Sequence, residues 1–210
     1  MKQGIAGIVL SGGLSSRMGG GDKGLLQLAG RSMLSRVLAR LLPQVDTIAI
    51  SANSHPALFS SFDFPVIPDL CEQPAAPLAG ILACMEWAAR TGSGNRIASV
   101  AVDTPFFPKD LVAVLSQELT GSERKIAVAS SRGRLHPVFA LWDIDLRHDL
   151  KTFMNEGKSL SVMAFIKRHG MVECSFPDLG LAGETMDPFF NVNTPDDLAT
   201  AERYAKALEQ

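Results

Sequence analysis

Residues 10–26 read "LSGGLSSRMGGGDKGLL". Six glycines, Gly12 and Gly13 first among them, fall between Ser11 and Gly24, with Arg17 and Lys23 interspersed. The stretch follows the apolar run "GIAGIVL" (4–10), which reads as a buried strand, so the glycines stand at the carboxyl end of a strand. In open α/β sheets ligands bind at that edge. Glycine lets a ligand approach the amides closely and takes positive φ at little steric cost. Consecutive amides that point one way form a nest for phosphate oxygens. Arg17 and Lys23 supply the charge that glycine cannot, the first as a bidentate fork and the second as a mobile point charge. A surface connector would explain the glycines but not their place after a buried strand or the cations among them.

The loop fits neither common phosphate motif. Gly12 and Gly13 are adjacent and Gly19 is too far along for G-x-G-x-x-G. Asp22 precedes Lys23 and Gly24 follows it, which breaks G-x-x-x-x-G-K-[ST]. What remains is a strand followed by G-G, R-M-G and D-K.

Outward from the loop, apolar runs alternate with segments of helical period. "RSMLSRVLARLL" (31–42) puts Met33, Leu34, Val37, Leu38 and Leu41 on one helical face. Strands are predicted at "VDTIAI" (45–50) and "FPVIPD" (64–69), and a helix at 77–90 with Pro77 at its start. "RIASVAVD" (96–103) is apolar throughout, as a strand buried on both faces would be. Pro108 is expected to open the next helix. Farther on, "KIAVAS" and "HPVFALW" read as strands around "SRGR", residues 144–157 and 159–169 as helical, and "MVECSF" and "FFNVN" as strands before a closing helix. This order implies an α/β fold: a three-layer α/β/α arrangement with a mostly parallel, Rossmann-like sheet and a mixed C-terminal part.

The 210 residues suffice for one domain, read as 1–210 with no long linker. A net charge of -2 gives no basic footprint for nucleic acid. Cys71, Cys84 and Cys174 are far apart and form no C-x-x-C, so they read as reduced thiols of a cytoplasmic protein. The four histidines lack metal-ligand spacing. No run is long enough to span a membrane, and the N-terminal apolar stretch is too short for a signal peptide.

Candidate chemistry gathers at the ends of the predicted strands. Asp103 ends the most apolar one, on the same edge as the glycine loop. Triphosphate chemistry needs a divalent cation, and Mg²⁺ takes one or two protein carboxylates with phosphate oxygens and water. Asp103 is the first choice of ligand. Asp69 ends another strand and suits a base edge or a ribose, or merely caps a turn. Ser51 and Asn53, in "SANSH", offer small polar groups for a base or sugar. In "FFNVNTPDDL" (189–198), strand alternation would put Asn191 and Asn193 on one side, for a metal shell or a polar substrate. Thr194 then reads as the N-cap of the last helix and Pro195 as its first residue. No serine–histidine pair is evident as nucleophile and base.

"GIVLSGGLSSRMGGGDKGLL", "FPVIPD", "APLAGI", "VDTPFFPKDL", "HPVFALW" and "FFNVNTPDDL" stand in an order that resembles the molybdenum cofactor guanylyltransferase family over nearly the whole chain. The sister cytidylyltransferases resemble it at the glycine loop, but carry a "GDQP"-type segment in place of "VDTP" and lack "NVNTP". The resemblance implies transfer of GMP from GTP to the phosphate of molybdopterin or its metal-loaded form, with Mg²⁺ as cofactor. It implies that Leu10, Ser11 and Gly12 meet the guanine nucleotide, Lys23 and Arg17 the phosphates, Asp69 the nucleoside, and Asp103 both nucleotide and metal. Asn191 and Asn193 would face the pterin or, for Asn193, the metal. Residues to about 120 would hold the nucleotide and those from about 121 the pterin. Cofactor-delivery chaperones or molybdoenzymes are the implied partners. Three departures from the family pattern stand out: L-S-G-G for L-A-G-G, Ala76 for glycine before P-L-A-G, and Ser51 for the first asparagine of N-A-N. Two other readings stand beside this one: a cytidylyl- or sugar-phosphate nucleotidyltransferase, and a non-catalytic nucleotide- or cofactor-binding chaperone.

Overall fold

The computed structural model describes residues 4–12, 22–69, 77–157, 159–181 and 183–208. Its elements in chain order are β1 (Ile5–Leu10), β2 (Gln27–Leu28), β3 (Arg31–Ser32), α1 (Met33–Leu41), β4 (Thr47–Ser51), β5 (Val66–Ile67), α2 (Pro77–Thr91) and β6 (Arg96–Ala101). There follow α3 (Leu111–Leu119), β7 (Ile126–Ser131), β8 (Arg134–Asp143), α4 (Arg147–Asn155), α5 (Val162–His169), β9 (Val172–Ser175), β10 (Leu179–Leu181), β11 (Glu184–Met186) and α6 (Pro195–Leu208).

A seven-stranded sheet runs in the order β5-β4-β1-β6-β8-β7-β9. The first four strands are mutually parallel. β8 is antiparallel to both β6 and β7, and β9 is parallel to β7. From β1 the chain builds outward to β4 and β5, then crosses back to lay β6 on β1's other side. The strand order therefore reverses at β1, and the crevice at the carboxyl ends of β1 and β6 is the topological switch point, where such sheets bind ligands.

Alternation along the strands divides the core. Val9, Ala98 and Val100 pack with α1 and α3 on one face, while Ala6, Ile8 and Ile97 pack with α2, α4 and α5 on the other. The sheet is thus buried on both sides, which is why its central strands carry little polarity. A third cluster joins Leu28 and Met33 to Phe106, Val192 and the inner side of α6. That cluster draws the C-terminal segment across to the strand ends.

The helices follow their sequence signals. In α1 the five periodic apolar residues are all buried, and Ser32 caps the helix by accepting from Ser35 N at 3.1 Å. α6 begins as expected, with Asp197 N donating to Thr194 Oγ1 at 3.1 Å. Asp197 Oδ2 in turn accepts from Asn193 N and Thr194 N, both at 2.9 Å, so the helix start is capped reciprocally.

Two expectations are corrected. Pro108 does not open α3: residues 108–110 form a turn, and the helix starts at Leu111. Residues 189–193 form no strand. Their period-two pattern arises instead from an extended segment tied down by Val192 N to Asp103 O at 2.8 Å, which buries Val192 and leaves Asn191 and Asn193 exposed. No helix among the described residues is long and apolar enough to cross a membrane.

Candidate active site

The site is assembled from the loops that leave β1, β4, β5 and β6. Immediately after the glycine-rich loop, Lys23–Leu25 form one turn of 3-10 helix capped by Asp22. The Asp22 carboxylate accepts from Gly24 N at 2.9 Å, from Ser11 Oγ at 3.3 Å and from Ser54 Oγ at 2.8 Å. One side chain thus ties the exit of the loop to the ends of β1 and β4. Gly24 is required by space: a Cβ there would lie 2.9 Å from Ser11 Oγ and 3.0 Å from Val102 Cγ2. In the sequence Asp22 stands out as a break in the P-loop pattern and as part of the D-K pair, without a role of its own. Its signal was local, an aspartate two residues before glycine at the start of a turn.

With its base so fixed, the Lys23 ammonium reaches across the crevice. Nζ donates to Asp103 Oδ2 at 2.9 Å and to Asn193 Oδ1 at 2.6 Å. Residues 80 and 170 positions away in sequence therefore converge on one nitrogen. The side chains of Lys23 and Asp103 are 15% and 23% exposed, enough shielding to strengthen the pair yet open to a ligand. Thr104, fully buried, hydrogen-bonds Asn191 Oδ1 through its hydroxyl, which also lies 3.2 Å from Asp103 Oδ1. Lys23, Asp103, Asn191 and Asn193 are thus one connected cluster.

Beside it opens a cleft of about 420 Å³. One wall is formed by Leu10, Gly12, Ser51, Asn53 and Asp69. Asn53 and Asp69 bond reciprocally, Nδ2 to Oδ2 at 2.8 Å and Asp69 N to Asn53 Oδ1 at 2.9 Å. Gly80 of α2 floors this wall, and a Cβ there would meet Ser51 Oγ, Leu10 Cδ2 at 3.0 Å and Asp69 Oδ1 at 3.3 Å. Ser11 is buried next to the cleft rather than lining it, with its N–H on Ser51 O at 2.8 Å. Arg17, Gly13 and Ala76 lie outside the described residues.

The opposite wall was not foreseen. It comes from β8, where Arg134, His136, Pro137 and Val138 face the cleft. The β7–β8 ladder pairs Val128 with Ala140 but Ala129 with His136, so residues 137–139 bulge from the sheet. Proline is tolerated there because no ladder donor is needed. Against expectation, a serine and a histidine meet: Ser131 Oγ lies 2.8 Å from His136 Nε2. The same hydroxyl donates to Asp187 Oδ1 at 2.7 Å, and Ser131 is fully buried, so it has neither the proton alignment nor the access of a nucleophile.

Among the described residues no group of three or more His, Cys, Asp and Glu is placed to hold a metal. The donor set at Lys23 nevertheless suits a hard cation. Two oxygens, the Asp103 carboxylate and the Asn193 amide, already converge on one positive charge. A magnesium ion that takes its remaining ligands from phosphate and water needs no more from the protein.

A strand-end crevice at a switch point, with a lysine and an aspartate facing each other across it, is the ligand site of a doubly wound α/β protein. The comparisons narrow the class. Residues 7–172 match the model of the MobA-like NTP transferase domain, and the chain belongs to that family. A relative from Mesorhizobium japonicum is 48% identical, the match covering 99% of each chain. Another from Rhizobium meliloti is 46% identical, over 96% of this chain and 92% of the relative. Both are named molybdenum cofactor guanylyltransferase. In fold the chain is similar to molybdopterin-guanine dinucleotide biosynthesis protein A from Archaeoglobus fulgidus, with a TM-score of 0.75, 21% identity, and coverage of 96% of this chain and 98% of that one. It is similar too to a CMP:2-keto-3-deoxy-manno-octonic acid synthetase solved with CTP, at a TM-score of 0.72 and 14% identity over the whole of both chains.

Proposed function

We propose that the chain transfers GMP from GTP to the phosphate of molybdopterin or its metal-loaded form, giving molybdopterin guanine dinucleotide and pyrophosphate. The observation that carries the reading is the convergence of Lys23, Asp103 and Asn193 at the switch point, in a chain whose full-length relatives are named guanylyltransferases.

On this reading the guanosine lies along the wall of Leu10, Gly12, Ser51, Asn53 and Asp69, with Ser11 behind it, and the triphosphate runs toward Lys23 and the glycine loop. Gly13 and Arg17 of that loop are assigned to the phosphates. Residues to about 120 hold the nucleotide and those from about 121 supply the acceptor's side, with Asn191 and Asn193 reaching back to the phosphates. The acceptor phosphate is already an anion, so its attack on the α-phosphorus needs no strong base. One P–O bond forms to the α-phosphorus as the bond to the β-phosphate oxygen breaks, and pyrophosphate leaves with the electron pair. The barrier lies in bringing two anions together and stabilising the leaving group, so positioning and charge dominate. Lys23 can leave Asp103 for the phosphates, exchanging one negative partner for another. Asp103 and Asn193 would then hold Mg²⁺, which supplies charge neutralisation at the phosphate oxygens.

Two unpaired, buried thiols, Cys84 and Cys174, suit a reducing compartment, and the reading places the reaction in the cytoplasm. Cofactor-delivery chaperones or molybdoenzymes would receive the product. Pyrophosphate release with molybdopterin, Mg²⁺ and each nucleoside triphosphate in turn tests the reading. Release with GTP well above that with CTP is expected. Equal or greater release with CTP would make the chain a cytidylyltransferase, and GTP binding without product would make it a carrier.

A further inference from the structure

β8's wall of the cleft holds a histidine whose polarity can be deduced. Asp187 Oδ1 accepts from Phe189 N at 2.9 Å and from Ser131 Oγ at 2.7 Å. A carboxylate only accepts, so the Ser131 hydroxyl spends its one hydrogen on Asp187. The 2.8 Å contact between Ser131 Oγ and His136 Nε2 must then be donated by the imidazole. Nε2 therefore carries a proton. The ring is also held in plane, stacked on Phe189 with centroids 4.3 Å apart and 20° between planes. Burial lowers the His136 pKa, opposed by the Asp187 carboxylate and helped by the Arg134 guanidinium, which favours the neutral ring. A neutral imidazole protonated at Nε2 has a bare Nδ1, and among the described residues that atom has no hydrogen-bond partner.

His136 lies on the β8 wall of the cleft, which the functional reading leaves free of guanosine. A pterin's ring amide and exocyclic amine are hydrogen-bond donors. We propose that His136, locked as the Nε2–H tautomer by Ser131 and Asp187, is a recognition residue for the acceptor, taking a hydrogen bond from a pterin N–H at Nδ1. This rests on the guanylyl-transfer reading above. Ser131 and Asp187 are positioning residues: they touch no substrate and act by fixing which nitrogen accepts. The β7–β8 bulge sets the ring on the wall, and the cover of Phe189 holds it there.

The test combines kinetics with ¹⁵N NMR of the imidazole. In the wild-type protein, His136 should show a pyridine-type shift at Nδ1 and a pyrrole-type shift at Nε2. In Asp187→Ala the Ser131 hydroxyl loses its acceptor, its hydrogen is free to turn to Nε2, and the two shifts should exchange. Both His136→Phe, which keeps the stack, and Asp187→Ala should raise the KM for molybdopterin about tenfold, the order of one hydrogen bond, with the KM for GTP unchanged. His136→Asn, which keeps an acceptor near the position of Nδ1, should recover part of the loss. Wild-type rates with an unchanged molybdopterin KM in a folded His136→Phe would overturn the proposal, as would a proton on Nδ1 in the wild type. Should a variant fail to fold, the wild-type spectrum still decides the tautomer, and Ser131→Ala gives the kinetic comparison. Failure of the wild type itself to guanylylate molybdopterin would sink the functional reading instead.

Discussion

On the proposed reading, Lys23 and Asp103 are the side chains on which the chemistry turns. A unit charge pair at 4 Å is worth about 4 kcal/mol at an effective dielectric of 20. Expressed only in the transition state, that is a rate factor on the order of a thousand. Lys23→Ala and Asp103→Ala should each lower kcat by about that factor. The pair is partly open to solvent, so loss of fold stability should stay within about 1 kcal/mol, checked by thermal unfolding. Asp22 makes the complementary case. Asp22→Ala leaves Ser11, Gly24 and Ser54 without their common acceptor. It should cost about 1–3 kcal/mol of stability and raise the KM for GTP, since the loop exit loses its anchor. A KM equal to wild type would deny Asp22 that role. Both carboxylates were visible in the sequence, but only Asp103 was legible, because its place at the end of an apolar strand is a one-dimensional fact. The hold of Asp22 on two other strand ends is a three-dimensional one.

Helix starts and strand ends set the precision of the site. Asp197, in the first turn of α6, binds the backbone of Asn193 and Thr194, and so aims the amide that meets Lys23. Asp197→Ala should cost about 1 kcal/mol, as lost caps do. It should also lower kcat, although the side chain never reaches the cleft. Gly80 tests the other wall. Alanine there gains about 1 kcal/mol of helix propensity but meets overpacking worth about 1–3 kcal/mol against Leu10, Ser51 and Asp69. A small fall in Tm with a raised KM for GTP is expected, and kinetics against both substrates would show whether the change stays on the nucleotide side. Most elements could be read from pattern: α1, α2 and β6 have long, consistent periods. The segment 189–193 could not, because alternation about one buried valine looks the same whether the chain pairs in a sheet or hangs from one backbone bond at Asp103. The Asp187–Ser131–His136 chain was equally hidden, since its members meet only once β7 and β8 pair around Arg132 and Gly133 and the turn at 187–189 packs beside them.

At the scale of the molecule, one sheet carries both walls of the cleft, that of Leu10, Ser51 and Asp69 on its parallel part and the β8 wall where it turns antiparallel. The family resemblance read from six motifs agreed with the family match and the named relatives, because those motifs lie at the ends of β1, β5 and β6, at the starts of α2 and α6, and in β8 where it walls the cleft. The thiols offer a test of the fold itself. Burial, with Asp69 adding to it, holds the Cys84 thiol far above its usual range, and burial with Glu118 and Glu173 nearby pushes Cys174 up to about 11. Neither should alkylate with iodoacetamide at pH 8 while the protein is folded, and both should do so in denaturant, as read by mass spectrometry. On the proposed reading, the crevice between β1 and β6 cradles a triphosphate. A crystal structure with GTP and Mg²⁺ tests it most directly. Phosphate oxygens are expected on Lys23 Nζ, the metal on Asp103, and the guanosine along Ser51, Asn53 and Asp69. GTP bound elsewhere, with the Lys23–Asp103 pair untouched, would contradict it.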